Sequence, residues 1–111
     1  MDKLKRVCTP GLAAAALMWL PHAHAAEPSR APFLAEKRLC TECHAPNADS
    51  GGPSFPAIAA RYRYQPDARE MLVDKVMHGG EQHWGGRFNM WPQYTVPRRE
   101  AEELVDWILE Q

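Results

Sequence analysis

Two cysteines and a histidine at fixed spacing are the residues of this chain best suited to chemistry. Cys40 and Cys43 are separated by two residues and His44 follows directly, so the segment has the pattern C-x-x-C-H. This pattern is the attachment signature of a c-type haem. The two thiols match the two vinyl groups on one edge of the porphyrin, and the histidine that follows is carried beneath the iron. The motif therefore predicts one covalent haem, attached through Cys40 and Cys43 and ligated by His44.

Other chemistries use the same residue types. A redox C-x-x-C is typical of a βαβ surrounding, which the sequence pattern does not show. A structural zinc site usually needs four ligands and would have to add His78 or His83 to the motif. A plain disulfide between Cys40 and Cys43 is a third alternative. The specificity of the five-residue motif favours haem attachment over all three.

A sixth ligand would complete the coordination of the iron, and the chain offers several candidates. Met90 lies in a long loop, just before a Trp-Pro pair, where a loop can place its thioether over the second haem face. A methionine ligand raises the reduction potential and suits electron transfer. Met71 and Met77 fall inside a predicted helix, where methionine is usually a packing residue. We therefore predict Met90 as the sixth ligand, with His83 and then His78 as the alternatives.

The N-terminal segment has the three parts of a secretory signal peptide. Basic residues in the first six positions precede an apolar run at residues 12–20, and Ala23-His24-Ala25 follows. That order is typical of an export signal cut after an A-x-A site. We therefore divide the chain into a signal peptide, residues 1–25, and one mature domain, residues 26–111. An uncleaved anchor is the alternative, but a spanning helix needs about 20 apolar residues and this run is much shorter.

Export and charge narrow the class of protein further. Thiols in an exported chain are normally paired or otherwise consumed. Cys8 leaves with the signal, so Cys40 and Cys43 act as one unit. Removing residues 1–25 takes away three basic side chains and one acidic side chain, which changes the formal charge from −1 to −3. An acidic domain argues against a nucleic-acid binder, which needs a basic face.

The elements that must position these residues are predicted to be helices, since no alternating strand pattern appears. The predicted helices cover residues 32–43, 56–62, 68–78 and 97–111. Asp67 and Glu70 have the spacing of a capping box at the start of the third helix. Four apolar residues of the last helix recur at i, i+3, i+4 and i+7 and so share one face. They are Ala101, Leu104, Val105 and Ile108. The fold class is therefore all-α.

Three blocks of sequence together resemble the small bacterial monohaem class I cytochromes c of the cytochrome c-551 type. The first is the C-x-x-C-H segment, and the second is Gly52-Pro53-Ser54-Phe55 with Ala57-Ile58-Ala59. The third runs from Gly79-Gly80 through Trp84-Gly85-Gly86 and Met90-Trp91-Pro92-Gln93 to residues 104–109. The resemblance spans about residues 33–111. It implies the class I cytochrome c fold, with four to five short helices wrapped around one covalently bound haem c.

The resemblance also implies roles for individual residues around the haem. Met90 matches the distal ligand of the family, and Pro53 matches the proline whose carbonyl accepts the N–H of the ligand histidine. Trp84 and Lys75 match positions that meet a haem propionate. Gln93 matches an amide that can reach the methionine sulfur. The competing interpretations are ordinary aromatic packing for Trp84 and a solvated surface lysine for Lys75.

The sequence as a whole predicts a soluble, periplasmic one-electron carrier and not an enzyme. We expect a monomer that binds redox partner proteins transiently, binds no nucleic acid and is not stably inserted in a membrane. Two other functions use the same residues: a haem sensor or enzyme with an open sixth site, and a small subunit or haem domain of a periplasmic oxidoreductase. Trp91 departs from the family, which commonly has proline directly after the methionine.

Overall fold

The structure, a computed structural model, describes residues 27–47, 50–80, 84–85 and 89–111. Four α-helices and one 3₁₀ turn form the regular secondary structure of these residues. They are α1 (Ala31–Lys37), a 3₁₀ turn (Cys40–Glu42), α2 (Phe55–Tyr62), α3 (Ala68–His78) and α4 (Arg98–Leu109). The predicted all-α fold class is therefore confirmed.

Two sequence predictions concern residues that the structure leaves undescribed. The signal peptide, residues 1–25, and the alternative ligand His83 both lie outside the described residues. In the part of the chain that is described, no helix has the length and apolar character to cross a bilayer.

The first helix is shorter than predicted because the chain turns sharply at Leu39. α1 ends at Lys37, and Leu39 has a φ of 59°, in the left-handed region. A residue other than glycine pays about 1–2 kcal/mol for this conformation, and it cannot continue a right-handed helix. Cys40 therefore begins a separate 3₁₀ turn. The prediction of one helix over residues 32–43 is wrong beyond Lys37.

The starts of α2 and α3 differ in how they are capped. The Ser54 hydroxyl accepts a hydrogen bond from the backbone N–H of Ala57 at 3.2 Å, which caps α2. Asp67 precedes α3 but makes no side-chain capping bond. The predicted capping box is wrong, because Glu70 instead pairs with Arg98 at the start of α4.

Helix α4 packs against each of the other three α-helices. The predicted apolar face of α4 is confirmed, since all four of its residues are buried. These residues share one hydrophobic core with Leu34 of α1, Phe55 of α2 and Val73 of α3. Helices α1, α2 and α3 are therefore held in place by one common helix, α4.

Besides the Glu70–Arg98 pair, three ion pairs of the described residues join α4 to α3 and to the residues that flank α1. The pairs are Arg30–Glu103 at 2.6 Å, Arg38–Glu100 at 2.7 Å and Arg69–Asp106 at 2.6 Å. The hydrogen bond from Arg30 lowers the pKa of the Glu103 carboxyl. The Arg38–Glu100 pair is the least exposed of the three, with 21% and 17% of the two side chains accessible. Because water screens it least, we expect this pair to stabilise the packing of α1 on α4 most.

We expect Glu100→Gln to lower the free energy of unfolding by about 1–2 kcal/mol, because it leaves the half-buried Arg38 guanidinium with a neutral partner. Chemical denaturation followed by circular dichroism measures this loss. Arg99→Gln is the matched control, since Arg99 is 80% exposed and its Nε lies 3.6 Å from Glu103. An equal loss in both variants would contradict a special contribution from Arg38–Glu100.

Candidate haem-binding site

Three α-helices and the C-x-x-C-H segment enclose an open cleft. Its empty volume, counted together with open solvent at the mouth, is about 1200 Å³. The lining that the helices contribute is mainly apolar. It includes Phe55, Ile58 and Tyr62 of α2, Met71, Leu72 and Val76 of α3, and Leu104, Val105 and Ile108 of α4. The cleft is therefore suited to a large, flat, apolar group.

The cleft brings together all eight residues that the sequence selected for haem binding. They are Cys40, Cys43, His44, Pro53, Lys75, Trp84, Met90 and Gln93. These residues come from parts of the chain up to 53 positions apart, from Cys40 to Gln93. Their shared location makes a common ligand geometrically reasonable, and their individual roles stay predictions.

The His44 ring is fixed on two sides. Its Nδ1 lies 2.7 Å from the Pro53 carbonyl oxygen, so Nδ1–H donates and the carbonyl accepts. The ring also stacks on Phe55, with centroids 5.6 Å apart and an interplanar angle of 23°. Phe55 in turn meets Trp107 edge-on at 5.1 Å. A proton on Nδ1 leaves Nε2 with a free lone pair, which is the state that ligates a metal.

Two glycines allow the following loop to pass close to the motif. A Cβ atom on Gly52 would stand 3.0 Å from His44 Cε1 and 3.2 Å from Nδ1. A Cβ atom on Gly51 would stand 3.0 Å from Cys43 Sγ. Any larger residue would have to displace the histidine or the cysteine, so the Gly51-Gly52 pair permits the Pro53 carbonyl to reach His44.

The two cysteines of the motif differ in exposure, and both are unpaired. Cys40 is half-buried and Cys43 is exposed. Burial raises the pKa of the Cys40 thiol, so this thiol is protonated at neutral pH. Within the described ranges, no group of three or more His, Cys, Asp or Glu side chains lies close enough to hold a metal ion.

Met90 is attached to the C-terminal end of α3 by backbone contacts. The Gly80 N–H donates to the Met90 carbonyl at 3.2 Å, and the Gln93 N–H donates to the Val76 carbonyl at 3.2 Å. The Val76 carbonyl is one of the last four of α3, which have no partner inside the helix. The segment that follows Met90 therefore supplies a partner for one of these carbonyls.

Gly79 makes this close approach possible. It has a φ of 65°, and a Cβ atom there would stand 2.7 Å from the Pro92 nitrogen and closer still to the Met90 carbonyl oxygen. Both the left-handed conformation and the contact require glycine. The third predicted helix ends directly before Gly79, but no local signal in the sequence indicates the contact of Gly79 with the Met90 segment.

The remaining predicted residues have specific neighbours. The Gln93 side-chain amide donates to the Trp91 carbonyl at 3.1 Å. Trp84 is half-buried and meets Tyr62 edge-on at 6.4 Å. The alternative ligand His78 is exposed, its Nδ1 lies 2.8 Å from Asp74 Oδ1, and it is not part of the cleft lining. The contacts of His78 therefore favour a surface role over iron ligation.

Sequence reasoning missed three contacts that support the predicted site residues. Phe55 packs against His44, Gly79 lies under the Met90 segment, and Arg61 stacks on Trp84 at 4.7 Å. Each contact joins residues that are distant in sequence. No spacing pattern in the sequence indicates these contacts.

We expect Gly79→Ala to lower the free energy of unfolding by about 2 kcal/mol or more, since it adds a clash with the Met90 segment to the strain of a left-handed alanine. Gly85→Ala is the matched control: Gly85 has a φ of 68°, and a Cβ atom there has nothing within 4 Å. It should lose about 1 kcal/mol from strain alone. Equal losses in denaturant titrations would show that the close approach at Gly79 contributes nothing.

Searches among known proteins place the chain next to a consistent set of relatives. No family model matches it. It is 43% identical over 76 residues to cytochrome c-551 of Allochromatium vinosum, a match that covers 68% of this chain and 80% of the relative. It is 38% identical over 80 residues to cytochrome c2 of Rhodocyclus tenuis, covering 68% of this chain and 86% of that protein.

Solved structures agree with these relatives. The crystal structure of wild-type Nitrosomonas europaea cytochrome c552 superposes with a TM-score of 0.65 at 36% identity, covering 70% of this chain and 95% of that chain. The class 1 cytochrome MtoD from Sideroxydans lithotrophicus ES-1 superposes with a TM-score of 0.62 at 27% identity, covering 78% and 97%. The likeness therefore holds in sequence and in fold.

Proposed function

The chain belongs to the small monohaem class I cytochromes c, and from this premise we propose that it is a periplasmic one-electron carrier with His44 and Met90 as axial ligands. As a member of the family it has one covalent haem c and transfers electrons, and it is not an enzyme. The observation that carries the proposal is the cleft. One apolar cavity is lined by the C-x-x-C-H motif, a histidine fixed by a hydrogen bond, and a methionine attached to α3.

The residues of the cleft fit the haem group. Cys40 and Cys43 provide the thiols for two thioether links, and neither thiol is engaged in a disulfide. His44 provides an imidazole whose Nδ1–H is already hydrogen-bonded, which leaves Nε2 for the iron. Met90 provides a soft thioether. This donor set is the one that suits a haem of high reduction potential.

When bound, the haem iron supplies reversible exchange of one electron. The chain supports that exchange by holding the ligand side chains in place whichever oxidation state the iron has. The hydrogen bond from His44 Nδ1 to the Pro53 carbonyl orients the ring and strengthens Nε2 as a donor. The contacts of Gly79 and Gly80 hold Met90 in place. If His44 and Met90 both bound the iron, no coordination position would be left for a substrate.

Three further residues are proposed to adjust the surroundings of the haem. Trp84 and Lys75 line the cleft and have N–H donors for the haem carboxylates. Gln93 holds the loop by donating to the Trp91 carbonyl, directly after Met90.

We also propose that residues 1–25 are a cleaved signal peptide and that the mature protein is a monomer with transient redox partners. If so, mass spectrometry of the protein from a host that exports and matures c-type cytochromes should give a chain starting at Ala26, with the added mass of one haem. A full-length chain found in the membrane fraction would support the uncleaved anchor.

Substitution of Met90 tests the distal ligand. We expect Met90→Leu to abolish the weak far-red absorption band of methionine-ligated ferric haem and to lower the midpoint potential, because leucine offers no lone pair. Met77→Leu is the matched control, since Met77 is half-buried on α3 but does not line the cleft. It should retain the band and the potential.

Other results would lead to other conclusions. A c-type spectrum that lacks the far-red band in the unmodified protein, and that Met90→Leu does not change, would favour a histidine ligand or an open site. An absence of haem absorbance, in a host that attaches haem to other cytochromes, would leave the zinc and disulfide alternatives.

A further inference from the structure

Arg61, in the last turn of α2, packs on two aromatic residues. Its guanidinium carbon lies 4.7 Å from the ring centroid of Trp84 and 5.5 Å from that of Tyr62. The Tyr62 and Trp84 rings meet edge-on, with centroids 6.4 Å apart. Both rings line the cleft, whereas Arg61 is exposed and lies outside the lining. The three side chains form one cluster on the wall of the site.

Arg61 differs in its partners from five other arginines of the described residues. Each of the five pairs with a carboxylate; they are Arg30, Arg38, Arg69, Arg98 and Arg99. The Arg61 guanidinium instead lies over two aromatic rings. A guanidinium over an indole face is the most favourable cation–π pairing of a protein side chain, and its planar shape also allows stacking.

The cluster ties Trp84 to a helix. Trp84 lies between α3 and α4 and belongs to neither helix. Tyr62 is buried in the core, so it provides a firm base for the indole ring. Arg61 adds a second contact from the same helix, which restricts the rotation of the indole.

We propose that Arg61 is a positioning residue, which holds the Trp84 indole in the cleft wall so that its N–H is presented to a haem carboxylate. The inference rests on the proposed function, because it needs the haem in the cleft. A hydrogen bond from the indole draws negative charge away from the carboxylate. Loss of this bond leaves more negative charge near the iron, which stabilises the oxidised state and lowers the midpoint potential.

The first test is exchange of the Trp84 indole N–H with solvent, followed by NMR in the reduced holoprotein. Trp84→Phe identifies the signal by removing it. We expect Arg61→Gln to speed this exchange about two- to fivefold, the factor that corresponds to an exposed cation–π contact. Arg61→Lys should give an intermediate rate, since it keeps the charge and loses the planar group.

Two controls separate an effect on the position of Trp84 from a general effect on stability or charge. The Trp107 indole packs on Phe55 in the same molecule, and its exchange should not change. Arg99→Gln removes the same charge from the exposed surface of α4 and should leave both indoles unaffected. Equal acceleration at Trp84 and Trp107 would mean general destabilisation and would overturn the proposal, as would an unchanged rate at Trp84.

The second test is a double-mutant cycle on the midpoint potential. Arg61→Gln should lower the potential in the wild-type background and have no effect when Trp84→Phe is already present. An equal decrease in both backgrounds would show that Arg61 acts through its own charge, against the proposal. If Arg61→Gln does not fold, Arg61→Lys enters the same cycle.

The absorption spectrum distinguishes a failure of this inference from a failure of the proposed function. A wild-type protein without a c-type spectrum would overturn the proposed function, and the inference with it. A wild-type protein with that spectrum, whose potential and Trp84 exchange do not respond to Arg61 substitution, would overturn the inference alone.

Discussion

The hydrogen bond between His44 Nδ1 and the Pro53 carbonyl connects the C-x-x-C-H segment to the rest of the fold. Pro53 directly precedes Ser54, which caps α2, so the bond ties the histidine to the start of that helix. Phe55 then continues the connection to Trp107 of α4. The orientation of the proposed iron ligand therefore depends on the packing of α2 against α4.

The position of the Met90 segment also depends on α4 through an intermediate helix. It is held by the C-terminal end of α3, and α3 packs on α4. The two proposed axial ligands thus come from separate segments that are fixed to a common helix. A small domain has little apolar core of its own, so a haem bound in the cleft would also provide a surface on which the helices pack.

Features with a local signal could be predicted from the sequence, and features that depend on distant contacts could not. The haem-attachment motif follows from its spacing and stays a prediction, whereas α3 and the buried face of α4 follow from local sequence signals and agree with the structure. The break at Leu39 has no local signal, because leucine rarely adopts a left-handed conformation. Glu70 has the spacing of a capping residue, but Arg98, 28 positions away, binds it instead.

One face of α4 serves both the core and the cleft. Leu104, Val105 and Ile108 belong to the hydrophobic core and also line the site. A mutation at any of them changes stability and cofactor surroundings together, so selection cannot adjust one property there without the other. Trp91 lines the cleft but is 77% exposed and lies outside the core. A substitution at this rim position is therefore expected to change the surroundings of the cofactor with little effect on stability.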